Sequence, residues 1–188
     1  MSSVDVYTQR SKVVELVVFV GGIHGVGKTN FCQKLADLTG LRHRTVSEII
    51  NEESPSIDFD GSKKSYRLEE NQRAFMNWLE RNRDKNRLLL DGHFTLLDMT
   101  RQFYNVEINV FQHIRPSGLI CLESPVDLVV SRLEKRDGQV WSRDLVRSMA
   151  INEKERAEFV ATTLGVPVCI LSSDDVFSAV NFVNKLME

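Results

Sequence analysis

The sequence predicts an α/β chain built as a three-layer, doubly wound sandwich around a five-stranded parallel sheet. Two observations carry this. Short apolar, β-branched runs alternate with helical stretches along the whole chain, and a glycine-rich turn joins the first such run directly to the first helix. Parallel strands need a crossover helix between them, and right-handed crossovers place helices on both faces of the sheet. No repeat or low-complexity tract interrupts the alternation.

Residues 1–12 are polar and unpatterned and read as a loose tail, leaving 13–188 as one domain. Val13 to Val20 is the first strand, a nearly continuous apolar run of the kind buried on both faces. Asn30 to Leu38 is helical, with Phe31, Leu35 and Leu38 on one stripe and Gly40 as its stop. Arg42 to Val46 is a second strand, and Ser47 is placed to cap a short helix through Ile50. Asn51 to Ser65, with its Ser54-Pro55-Ser56 and Asp60-Gly61-Ser62 turns, reads as a loop within an insertion of about 47–84. A helix follows from Leu68 to Asn82, then strands at Arg87–Leu90, Leu119–Leu122 and Val166–Leu171. Helices are expected at Pro125–Glu134 and Ser142–Leu164, and from Asp174 through Leu186.

Composition narrows the function. Among 188 residues, 24 basic groups stand against 26 acidic ones, a balance that argues against an extended nucleic-acid partner. No run reaches the ~18 apolar residues of a membrane span, and the expectation is a soluble, cytoplasmic protein. The three cysteines, Cys32, Cys121 and Cys169, are scattered in apolar surroundings and read as buried, reduced thiols.

The most informative stretch is Gly22-Ile23-His24-Gly25-Val26-Gly27-Lys28-Thr29, a full match to G-x-x-x-x-G-K-[ST], continued by Asn30. It lies between a buried strand and a helix, the context that gives it meaning. Its glycines let backbone N–H groups converge on one anion at the positive end of a helix. Lys28 is placed to reach the outer phosphates of a nucleoside triphosphate, and the Thr29 hydroxyl to ligate Mg²⁺. Leu88-Leu89-Leu90-Asp91-Gly92 ends an apolar strand in an acid that can hold the Mg²⁺ hydration shell, though Asp-Gly also serves as a plain strand-ending turn. His93 faces the same crevice or packs beneath it.

Arg132 and Arg136 stand four apart on one helix face, and Arg143 and Arg147 repeat that spacing across the turn 137–142. The pattern has the form of a lid, at about 136–143, closing over phosphates. It also fits a solvated surface in which Glu134, Asp137 and Asp144 pair with the arginines.

The order of phosphate loop, Leu88-Leu89-Leu90-Asp91-Gly92 and Arg132-x-x-x-Arg136-Asp137 resembles the P-loop nucleoside monophosphate kinases. The likeness is nearest to archaeal-type adenylate kinases and their relatives, in which an Asp-x-His, here Asp91-Gly92-His93, follows the third strand. The resemblance implies a P-loop kinase fold with a small acceptor-binding insertion and a short lid. It implies Mg²⁺-dependent transfer from ATP to a nucleoside monophosphate, with small nucleotides as partners. Residues 22–30 would hold ATP, while Lys28, Arg132, Arg136 and Arg143 would act on the transferred phosphoryl. Ser47, Asp91, His93 and Arg73 would border the acceptor. The sequence departs from the pattern in three places, the first being a lid that is short and has fewer arginines than the group usually shows. Phe94-Thr95 stands where bacterial-type relatives carry an acceptor arginine, and the loop with Glu52, Glu53, Asp58 and Asp60 sets acid beside an anionic acceptor. A kinase of a small hydroxyl metabolite, with Asp91 orienting the hydroxyl, and a slow ATPase switching a protein partner are the alternatives.

Overall fold

Strand β1 (Leu16–Gly22) is buried at every residue and occupies the middle of the sheet. A computed structural model describes residues 16–53, 64–82, 87–97 and 101–188 of the chain. The expected tail, and Val13 to Glu15 of the expected first strand, lie outside the described residues.

From β1 the chain passes through α1 (Lys28–Thr39), β2 (Arg42–Thr45), α2 (Val46–Glu53) and α3 (Lys64–Arg81) to β3 (Arg87–Asp91). A short antiparallel pair, β4 (Thr95–Leu97) and β5 (Phe103–Asn105), and helix α4 (Ile108–Ile114) come next. Then follow β6 (Gly118–Glu123), α5 (Val126–Asp137), α6 (Arg143–Leu164), β7 (Val168–Ser172) and α7 (Val176–Leu186). The main sheet has five strands in the order β2-β3-β1-β6-β7, all parallel. This is the predicted doubly wound architecture.

Alternate residues of β1 serve opposite layers. Val18 and Val20 pack with Leu89, Ile120, Phe31, Leu35, Val129 and Val183, joining the sheet to α1, α5 and α7. Val17 and Phe19 pack with Leu90, Leu119, Phe75, Trp78, Phe111 and Val160, joining it to α3, α4 and α6. Burial on both faces explains why the strands read as unbroken apolar runs.

The structure moves several boundaries. Asn51 to Glu53 close α2 rather than open a loop, and residues 54–63 lie outside the described residues. The cap of α2 is Thr45, not Ser47. Thr45 Oγ1 accepts from Glu48 N at 3.1 Å, and Glu48 Oε2 accepts from Thr45 N at 3.4 Å, a reciprocal capping box. Glu52 pairs with Arg44 at 2.6 Å and Glu53 pairs with Arg81, so half of the suspected acidic flank is neutralised locally. The β4–β5 pair and α4 were not foreseen.

Candidate active site

The phosphate loop leaves β1 at its carboxyl end, where the chain's path reverses from one half of the sheet to the other; open α/β sheets bind ligands at such points. Gly21 allows close packing beneath it, since a Cβ there would lie 2.2 Å from the Phe94 ring. Gly27 caps α1 in a left-handed conformation, φ 108°, without a side-chain cap. The first-turn N–H groups of α1 are thus left for an anion. Lys28 Nζ donates to Gly22 O at 2.6 Å and lies along the loop. Burial lowers its pKa, and Asp91 and Glu153 work against that.

A cleft of about 690 Å³ opens over the loop and joins two unlike ends. At the polar end stand Lys28, Thr29, Asp91, Arg132 and Arg136. Thr29 and buried Asp91 share this wall, and their hydroxyl and carboxylate are the oxygen donors Mg²⁺ prefers. At the other end Ile50, Phe75, Val106, Val110, Phe111 and Ile114 make an apolar chamber, with Asn71, Gln72, Thr45 and Ser47 as polar edges. An aromatic trio supports this chamber: Phe19 meets Phe94 and Phe111 edge-on at 5.0 and 5.2 Å, and Phe94 stacks on Phe111 at 5.6 Å.

His24 and His93 also line the cleft and meet at a tilt of 44°, their ring centroids 4.3 Å apart. Burial, then Lys28 and Arg136, push His24 down to about 4, with Asp137 opposing. His93 lies well below the usual histidine range, chiefly through burial and then through Lys28 and His24. Both imidazoles are therefore neutral near pH 7.

Sequence reasoning missed Glu153. This carboxylate is 1% exposed and gathers four hydrogen bonds. Oε1 accepts from Gly22 N and Phe94 N, both at 2.9 Å. Oε2 accepts from Thr95 N at 2.7 Å and Thr95 Oγ1 at 2.6 Å. It ties the helix that follows the arginine turn to the phosphate loop and to the strand end beyond Asp91. The signal was present in the sequence: Glu153 sits on the inner stripe of α6 with Val146, Met149, Ala157 and Val160.

The structure brings Ile23, His24, Gly25, Gly27, Lys28, Thr29, Ser47, Asp91, His93, Arg132 and Arg136 to the cleft. Arg132 Nη1 also donates to Gly25 O and Val26 O at 3.2 and 2.9 Å, bracing the loop from behind. Arg136 is held by Asp137, which also accepts from Trp141 Nε1 at 3.0 Å. Arg143 is not brought to the cleft wall; at the start of α6 it pairs with Asp127 at 3.0 Å, as the surface reading of these arginines expects. Arg147 likewise pairs with Asp144. Arg73 is exposed, because the rotation of α3 turns Asn71 and Gln72 to the cleft instead. Asn30 points to solvent and Val26 into the core.

Fold and loop together define a P-loop nucleotide-binding domain. The AAA domain family matches residues 21–150, more than half of the chain, and the chain belongs to that family. Among solved structures, an uncharacterised protein from Eubacterium ventriosum ATCC 27560 shares the fold, with a TM-score of 0.51 at 14% identity over 91% of this chain and 97% of that one. A gluconokinase from Sinorhizobium meliloti 1021 aligns with a TM-score of 0.49 at 12% identity, over 92% of this chain and 91% of its own. A sugar kinase from Janibacter sp. HTCC2649 aligns at 0.48 with 17% identity, over 92% and 94%. No curated protein matches the chain significantly. No helix among the described residues is long and apolar enough to cross a membrane.

Proposed function

We propose that this protein transfers the terminal phosphoryl group of Mg²⁺-bound ATP to a nucleoside monophosphate, in the manner of adenylate-kinase relatives. The observation that carries the reading is the two-ended cleft. Its polar end is built for a triphosphate, and its apolar chamber, edged by the Asn71 and Gln72 amides, suits a planar base. Arg132 and Arg136 line the same cleft and would meet the phosphate of an acceptor lying there. Those cations offset charge on the migrating group, and positioning supplies most of the rate. A phosphate acceptor brings its own nucleophilic oxygen, so the chemistry demands no strong base.

A second reading has its own support. Among the described residues, the basic side chains lining the cleft besides the neutral His24 and His93 are Lys28, Arg132 and Arg136. A neutral hydroxyl acceptor fits such a chamber, with Asp91 orienting the hydroxyl. Incubation with Mg-ATP and a panel of nucleoside monophosphates, nucleosides and polyols separates the two. ADP release stimulated by one monophosphate, with its diphosphate as product, supports the first. Stimulation only by a neutral alcohol transfers the conclusion to the second. ADP release indifferent to every acceptor overturns both and favours an ATPase that switches a protein partner.

A further inference from the structure

Beneath the phosphate loop, three elements converge on a set of potential metal ligands. Cys32 comes from α1, His43 from β2 and Asp91 from the end of β3, and their Sγ, imidazole nitrogen and carboxylate atoms all lie within 4.8 Å of one another. His43 Nε2 is buried and has no hydrogen-bond partner. Its nearest approach to Asp91 Oδ2 is 3.6 Å, too long for a hydrogen bond. An orphaned buried nitrogen is costly, because it has given up its water without gaining a partner. That 3.6 Å separation is also close to the ~3.5 Å between two ligands of a tetrahedral cation with bonds near 2.1 Å.

We propose that Cys32, His43 and Asp91 bind a thiophilic divalent cation of the zinc type. Sulfur, imidazole and carboxylate together select such a metal over Mg²⁺, which takes oxygen. Three protein ligands leave a fourth position open, and Asp91 is the one ligand of the three that also lines the cleft. Binding releases the Cys32 proton to solvent, and the thiolate and carboxylate together balance the dication. Lys28, whose charge acts on both Asp91 and Cys32, is the opposing cation beside the site. Occupancy would draw Asp91 away from Mg²⁺ and so restrain turnover. That consequence rests on the phosphotransferase reading; the binding does not.

Co²⁺ titration of the full chain tests the binding directly. The expected result is one Co²⁺ per chain with a near-ultraviolet thiolate-to-cobalt band, displaced by Zn²⁺. Cys32→Ser should abolish the band and His43→Gln should weaken binding by more than about tenfold. The double variant Cys121→Ser with Cys169→Ser keeps Cys32 as its single thiol, so it should retain the band even if Cys32→Ser fails to fold. Absence of a thiolate band in folded protein, its loss in the double variant, or titrations unchanged by Cys32→Ser and His43→Gln would each overturn the proposal.

Discussion

Lys28 and Glu153 make opposite kinds of contribution, and single substitutions separate them. Lys28 aims a charge along the loop and supports little packing, so Lys28→Ala should remove ADP production while leaving the thermal transition nearly in place. Full retained turnover in that variant would mean the loop does not hold a reacting triphosphate. Glu153 instead satisfies backbone donors of two segments, each charge-assisted bond being worth about 1.5–3 kcal/mol. Glu153→Ala strands Gly22 N, Phe94 N and Thr95 N in the core, and should lower unfolding stability by about 3 kcal/mol or more. Glu153→Gln keeps an acceptor oxygen and the volume, and should recover part of that loss in denaturant melts. Equal stability of the Ala and Gln variants would show that neither the retained volume nor the retained amide oxygen replaces what the Glu153 carboxylate supplies.

Helix α2 shows what a few residues can decide for an element. The Thr45–Glu48 capping box starts it at the wall of the cleft, and Thr45→Ala should cost about 1 kcal/mol, measurable as a shift in the urea midpoint without change in slope. The sequence contained this box, yet the adjacent Ser47 competed for the role. The larger elements were readable because their signals are long. The apolar runs of β1, β3 and β6 and the glycine stops of α1 and α6 mark themselves. Strands of three residues, such as Thr95–Leu97 and Phe103–Asn105, contain too few positions to show a period, so the hairpin stayed hidden. The seven-residue α4 escaped for the same reason, and with it half of the apolar chamber. The loop residues were legible from spacing alone. Which of Asn71, Gln72 and Arg73 meets the cleft depends on the rotation of α3, which tertiary packing sets.

On the scale of the whole molecule, stability should depend on acid in a defined window. His24 and His93 have folded pKa values below the ordinary 6.5, His24 at about 4. Between those limits the unfolded chain takes up protons that the folded chain refuses, so stability is highest above 6.5 and falls as pH drops toward 4. Urea midpoints at pH 7.5, 6 and 5 should decline, and His93→Gln should flatten that decline; an unchanged slope in the variant would assign it to carboxylates. The bond from Glu153 to Gly22 also joins residues 131 positions apart. β1 finds its partner β6 only after some 100 residues have followed it, a non-local closure that slows folding. During synthesis, then, the glycine loop leaves the ribosome early but waits for residue 153 before its backbone is fixed. A nascent or prematurely stopped chain carries the whole nucleotide-binding signature and still lacks the brace that shapes it, so nucleotide cannot chaperone the early stages of its own binding domain.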